Sequence, residues 1–397
     1  MIQKTTPASL SRSLLAALSL AGVSLLGLLG ACSGADDTPG DGPPSGSSGT
    51  SGSSGTSGTS GTSGTSGTSG EIDAASPDGS PGDGAAGDGG ADGGFTYVPV
   101  PEGCINDVSA GDHVYTCEGL SVEATIPPLA AKCPAAGCGV IVELHGDTGT
   151  AALIDAHLRL RARAAPRGYI VIAPTGPAIG TINGTLYPGS SWQPAQDAKV
   201  VAITQLFAKV FKANPKRIHA TGFSRGGFMT WRLACDHSTL FASVAPGAAG
   251  NANTFLTVNA IEPTCFTPGR APARPIPILE LMGQTDVPVS YASMVSIKNA
   301  ALAQYGIAQG QTVAVQTTAQ FVHMKTNKVG APTVEWFDHK YETLPTGPAA
   351  AAKGHCVPGS TYNPNATQYA YACNPNPANG FDWGAEVLAF FERNPMP

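Results

Sequence analysis

The chain has 397 residues, 42% of them hydrophobic and only 13% charged, with a formal net charge of −6. That length suffices for one large domain or two ordinary ones. The negative charge is concentrated in one acidic stretch without a single base, so the rest is near neutral; this excludes a basic nucleic-acid-binding surface and leaves no field for an anionic partner.

The N-terminus reads as an export signal. Lys4 and Arg12 supply positive charge, and Leu14 to Leu29 is an apolar run short for a bilayer span. It ends in Leu29-Gly30-Ala31-Cys32, which resembles a bacterial lipobox. That resemblance implies cleavage before Cys32 and lipid on its thiol, so residues 1–31 are expected to be removed. Ser33 after the cysteine fits an outer-membrane destination by the same analogy. The expected locations are thus a lipid anchor on the outer membrane or cell surface, or secretion if Cys32 is incidental.

Residues 32–94 lack the apolar content for a core. Ser45 to Gly70 is built of Ser-Gly and Ser-Gly-Thr units, followed by Gly, Ala and Asp. This composition predicts a flexible tether reaching roughly 40 to 50 Å root-mean-square. It carries nine acids, from Asp36 to Asp92.

Besides Cys32 there are eight cysteines: Cys104, Cys117, Cys133, Cys138, Cys235, Cys265, Cys356 and Cys373. An even number in an exported chain predicts disulfides, and nearest-neighbour pairing is the simplest arrangement. There is no C-x-x-C pair, so a zinc site is not expected.

From Phe95 the texture is globular. Cys104 to Pro127 predicts several β segments. Gly139 to Leu144 is a buried strand running into His145-Gly146-Asp147, and Ala151 to Ala165 has helical spacing. Tyr169 to Ala173 is a second buried strand, followed by a long loop from Pro174 to Pro194 that holds Trp192. Ala195 to Ala213 is an amphipathic helix. Ile218 to Phe223 predicts a strand, which turns sharply at Ser224 into a helix carrying Phe228, Trp231 and Leu233. Strands follow at Phe241–Ala245, Ile276–Met282 and Pro332–Phe337, with helices at Tyr291–Tyr305 and Phe381–Phe391. Strands that are continuous apolar runs and alternate with helices predict a mostly parallel sheet covered on both faces. Residues 95–397 would then form one α/β domain, with its site beyond the carboxyl ends of the strands.

Gly222, Ser224 and Gly226 form G-x-S-x-G in the strand-turn-helix setting that a nucleophile elbow requires. A serine hydroxyl needs a base, and the base needs a carboxylate to fix its tautomer. Asp286, in the loop after the strand ending at Met282, is the acid; Asp338 is the alternative. His355, in a Gly- and Pro-bearing loop before the last helix, is the base, with His339 and His323 as the other histidines after Asp286. The backbone N–H of Arg225 is the first oxyanion donor, and Gly146 or Asp147 supplies the second. A bridge from Cys356 to Cys373 would steady the imidazole. The bland readings are a helix-capping serine, an Asx-turn aspartate and an ordinary polar histidine.

The motifs ELHGD, SSWQ, NPKRIHATGFSRGGFMTWRLAC, FASVAPGAAG, MGQTDVPVSY and GHCVPG span most of the globular region. In them the chain resembles the secreted esterases that include polyhydroxybutyrate depolymerases and feruloyl or acetylxylan esterases. The resemblance implies an α/β-hydrolase fold and cofactor-free ester hydrolysis, with Ser224 as nucleophile, Asp286 as acid and His355 as base. It also implies that Trp192 lines the acyl side of the cleft; Tyr291 and His145 are further substrate-binding candidates. A polyhydroxybutyrate-type substrate leads and a plant-polysaccharide ester is the alternative, with the protein expected to act as a monomer. Arg225 departs from the small or acidic residue usual after the nucleophile, and Asn363 to Asn379 is an unusual Asn- and Pro-rich segment. Two rival readings are a non-catalytic surface binder on the same fold and a peptidase.

Overall fold

The structure is a computed structural model that describes residues 95–182, 185–251, 266–267, 269–343, 350–360, 371–374 and 380–397. The signal, Cys32, the tether and Cys265 lie outside the described residues.

The chain begins with the hairpin β1 (Gly111–Cys117) and β2 (Leu120–Ile126). Its two-residue turn places Glu118 at φ 52° and Gly119 at φ 75°, the positive pair that a tight hairpin turn demands. A single helical turn, α1 (Leu129–Lys132), leads to β3 (Gly139–Leu144), and then come α2 (Ala151–Leu158), α3 (Leu160–Ala164) and β4 (Tyr169–Thr175). A small hairpin follows, β5 (Ala178–Ile182) with β6 (Thr185–Ser190), and then α4 (Asp197–Val210). The centre of the fold is β7 (Ile218–Phe223), α5 (Arg225–Asp236), β8 (Ser243–Gly247), β9 (Ile278–Gly283) and α6 (Tyr291–Gln304). The rest comprises β10 (Thr312–Thr317), β11 (Phe321–Thr326), β12 (Val334–His339), the short strands β13 (Glu342–Thr343) and β14 (Cys373–Asn374), and α7 (Trp383–Arg393).

Ten strands form one sheet in the order β1-β2-β4-β3-β7-β8-β9-β12-β11-β10. Its middle, from β4 to β12, is parallel, and the two flanks are antiparallel. This order and these directions are those of the α/β-hydrolase fold. Every residue of β3, β7, β8 and β9 is buried, as strands covered on both faces must be. One apolar cluster joins the sheet to α4, α5 and α6, and another joins it to α2, α3 and α7.

Three details depart from expectation. The stretch from Pro174 to Pro194 holds the hairpin β5–β6 where Gly and Pro suggested only loop. The helix expected over Ala151 to Ala165 breaks at Arg159, which adopts φ 55° and ψ 33°. The break aims Arg159 and Arg163 at the same Asp382 oxygen, each at 2.5 Å, and Asp382 itself caps α7 by accepting from the Ala385 N–H. The edge strand β10 is largely exposed and has no buried periodicity to betray it.

The disulfides Cys104–Cys117, Cys133–Cys138 and Cys356–Cys373 are formed, as nearest-neighbour pairing expects. Cys235 is also disulfide-bonded.

Helices α4 and α5 are locked by a buried two-pronged ion pair. Arg232 Nε and Nη2 donate to the two Asp197 oxygens at 2.6 and 2.8 Å. Their side chains are 3% and 13% exposed, so removing one partner strands a charge in the interior. Arg232→Ala is expected to lower unfolding free energy by about 3 kcal/mol, read as a lower denaturant midpoint. The double variant Arg232→Met/Asp197→Leu should recover most of that loss.

Candidate active site

The sharp turn between β7 and α5 is imposed by close backbone approach. A Cβ on Gly226 would stand 2.1 Å from the Leu144 carbonyl oxygen, and one on Gly222 would stand 2.5 Å from Gly226. With both positions reduced to glycine, Ser224 takes φ 54° and ψ −120°, a region that L side chains rarely occupy. Its N–H donates to the Gly247 carbonyl at 2.8 Å, which ties the turn to the neighbouring strand. Ser224 is 8% exposed and sits at the start of α5, whose positive end favours developing negative charge. Arg225 is the first residue of that helix, so its N–H meets no carbonyl of its own helix.

Asp286 and His355 are brought together by two touching loops. Gly354 packs so tightly on the acid loop that a Cβ there would lie 2.7 Å from Asp286 N, and one on Gly283 would lie 2.2 Å from the Gly354 carbonyl oxygen. Asp286 Oδ2 then meets His355 Nδ1 at 2.7 Å, with the two side chains 0% and 2% exposed. The other carboxylate oxygen accepts from the Val289 N–H at 2.8 Å. A carboxylate facing Nδ1 places the imidazole proton there and leaves Nε2 as the basic nitrogen. The Cys356–Cys373 bridge fastens the histidine loop to β14.

His355 is a neighbour of the elbow through Phe223, whose ring centroid lies 4.8 Å from the imidazole. The structure holds no hydrogen bond from the Ser224 hydroxyl to this ring; such contacts commonly tighten only with substrate present. Gly146 approaches from the end of β3, where a Cβ would stand 3.2 Å from Ser224 Cβ. Ser224, Arg225, Gly146, Asp147, Asp286 and His355 therefore occupy four connections at one end of the sheet, with a hydroxyl, an imidazole–carboxylate pair and backbone N–H groups in one neighbourhood.

The alternatives do not form the acid–base pair. His339 is buried and does not engage Asp286; burial pushes its imidazole down to about 3. Asp338 accepts from the Tyr291 hydroxyl at 2.8 Å. Tyr291, expected to face substrate, thus spends its hydroxyl on Asp338, and burial pushes the phenol up. His323 pairs with Glu335 at 3.0 Å.

His145 and Trp192 also differ from the substrate-facing role expected of them, each being only 1% exposed. The Trp192 Nε1–H donates to the His145 carbonyl at 2.9 Å, and the two rings lie 4.9 Å apart. His145 Nε2 accepts from the Gly176 N–H at 2.9 Å, so Nδ1 carries the proton and donates to the Gly146 carbonyl at 2.7 Å. Both residues brace the loop after β3.

One pairing and one residue escaped the sequence: the Arg225 side chain's hold on Asp147, and Tyr371. Arg225 is 3% exposed and its Nε lies 3.2 Å from Asp147 Oδ1. An arginine among the apolar residues of α5 demanded a carboxylate, and Asp147 was the acid in the neighbouring site loop. Tyr371 packs on Phe223 and His355 at 5.3 and 5.5 Å and donates to the Asp147 carbonyl at 3.1 Å. It comes from the Asn- and Pro-rich segment, where no periodicity marked it.

No family model matches the chain. It is 32% identical over 124 residues to feruloyl esterase B of Piromyces equi, covering 29% of this chain and 22% of that protein. It is 30% identical over 146 residues to NocK of Nocardia uniformis subsp. tsuyamanensis, a protein named provisionally as an esterase, over 36% of this chain and 38% of that one. The chain thus spans well under half the length of these relatives. Among solved structures, acetyl xylan esterase from Aspergillus awamori aligns at 15% identity and a TM-score of 0.42, over 58% of this chain and 93% of its own.

Burial holds His145 neutral and pushes its pKa down to about 4. The unfolded chain titrates near 6.5, so it binds the proton more readily than the folded chain. This group's stabilisation is therefore full above about pH 6.5 and is lost as pH falls towards 4, by roughly 1.4 kcal/mol per pH unit. His145→Gln is expected to show a shallower decline than the parent chain in denaturant midpoints taken between pH 7 and pH 4.5. Parallel declines would contradict the assignment.

Proposed function

We propose that this chain is a serine carboxylic-ester hydrolase. The observation that carries the reading is Ser224 at φ 54° and ψ −120° on a helix N-terminus, beside a buried imidazole–carboxylate pair at 2.7 Å. A strained, glycine-flanked serine is a poor helix cap, and here its side chain makes no capping hydrogen bond. It suits a hydroxyl held out for reaction.

In this reading His355 Nε2 takes the Ser224 proton as the oxygen attacks an ester carbonyl. Asp286 holds the ring and stabilises the imidazolium. The oxyanion settles on the Arg225 N–H and on an N–H of Gly146 or Asp147. The alcohol leaves with the proton from His355, and an acyl-enzyme remains. Water, deprotonated by the same nitrogen, attacks the acyl carbon; the Ser224 oxygen then leaves with that proton from His355 and the free carboxylic acid departs. The mechanism needs no cofactor.

For the substrate, the likeness to feruloyl esterase B supports feruloyl esters, and the motif resemblance extends this to acetyl esters of polysaccharide. Short hydroxyalkanoate esters are the second reading, supported by the motif resemblance to polyhydroxybutyrate depolymerases and by the near-neutral globular region. Lipid on Cys32 and a tether over residues 32–94 would hold such an enzyme at an outer membrane or cell surface.

Ser224→Ala is expected to lower kcat by several powers of ten on p-nitrophenyl acetate, and an organophosphonate should label the parent chain at Ser224 only. Activity of the variant within tenfold of the parent would overturn the nucleophile. Absence of both label and turnover in the parent would favour a surface binder. Feruloylated xylan, acetylated xylan and polyhydroxybutyrate film then separate the substrate readings by which one releases product.

A further inference from the structure

Asp147 is held from three directions. Arg225 Nε approaches its two carboxylate oxygens at 3.2 and 3.3 Å. The Ser191 hydroxyl donates to Oδ1. The Tyr371 hydroxyl donates to the Asp147 backbone carbonyl at 3.1 Å. These partners come from the elbow helix, from the chain just past β6, and from the segment bridged to Cys356.

An aspartate that merely ends a turn needs none of this. The arrangement is also expensive, because Arg225 is only 3% exposed and a buried guanidinium is tolerated only when paired. A small residue after Ser224 would present the same backbone N–H without that cost. What the arginine adds is reach. Its N–H lies beside Ser224, while its side chain grips the loop after β3 that supplies the other donor.

Resting on the esterase reading, we propose that the Arg225–Asp147 ion pair, closed by Tyr371, is a positioning clamp that fixes the Asp147 peptide relative to the Arg225 N–H, so that two donors face one oxyanion. Donors held in place before reaction need no reorganisation as charge develops, which is where such groups act most strongly. The pairing does a second job. A bare Asp147 carboxylate in the oxyanion loop would repel the forming oxyanion, and the guanidinium cancels that charge. Tyr371 restrains the following peptide, at the Asp147 carbonyl, while its ring rests on Phe223 and His355. Asp147 and Tyr371 are thus positioning residues, and they link the oxyanion loop to the elbow and to the histidine loop.

The test compares Asp147→Asn, Arg225→Gln, their double variant, Arg225→Lys and Tyr371→Phe with the parent chain. It uses p-nitrophenyl acetate turnover, the rate of labelling by a p-nitrophenyl phosphonate, and thermal midpoints. Asp147→Asn and Arg225→Gln should each lower kcat about 10- to 100-fold, with KM within about threefold, and slow labelling in parallel. The double variant should lose about as much as either single change, because both remove one pair. Arg225→Lys should recover part of the rate by restoring the charge without the fork, and Tyr371→Phe should lower kcat about 3- to 10-fold with KM unchanged. If Asp147→Asn does not fold, the Tyr371→Phe kcat and labelling rate decide. Variants that label and turn over at parental rates, losses confined to KM, or losses that multiply in the double variant would overturn the clamp while leaving the esterase reading intact. A parent chain that neither labels nor turns over would remove both.

Discussion

The backbone of Gly226 lies so close to the end of β3 that one methyl group would stand 2.1 Å from the Leu144 carbonyl oxygen. The rest of the site depends on this contact. It brings α5 against the central strand, and the helix can reach that position only if Ser224 turns through a strained backbone angle. Local strain of this kind persists where the surroundings over-determine it. Here the determinants are the Gly222 and Gly226 contacts and the Ser224–Gly247 hydrogen bond, all built into the parallel middle of the sheet.

From that fixed point the other loops are assembled by contact rather than by long reach. The acid and histidine loops share a glycine-to-glycine seam at Gly283 and Gly354, and the 2.7 Å bond between Asp286 and His355 sits directly beside it. His145 and Trp192 form a second scaffold, under the loop after β3. They use their polar atoms on backbone groups, so that loop keeps its shape without relying on solvent. Disulfide, seam and indole–imidazole contact each restrain a different loop around one hydroxyl.

Much of this was legible because it was local or periodic. The apolar runs of β3, β7 and β9 marked a covered parallel sheet, and G-x-S-x-G marked the elbow because both glycines answer to a steric demand next to the serine. Asp286 and His355 could be chosen from their places after a strand and within a loop, which is topology rather than pattern. Legibility failed where meaning lay in distant partners. Trp192 was expected at the substrate from the esterase resemblance, and Tyr291 was a further aromatic candidate. Their polar atoms were already committed to the His145 carbonyl and to Asp338, which no spacing reveals. Arg225 stood out as a departure from the pattern of the esterases that the motifs resemble, yet its counterpart lay 78 residues earlier in the chain. The break at Arg159 was hidden for the same reason, since it is set by Asp382 on the last helix.

The sheet ends at β10, whose outer rim has no strand beside it among the described residues and whose Val313 and Val315 are 38% and 51% exposed. Left straight, such a margin invites lateral pairing between identical molecules. Its register against β11 shifts between Ala314 and Gln316, and an irregularity of that kind bends a strand away from the flat geometry that stacking requires. A margin bent in this way is a poorer template for lateral pairing than a straight one.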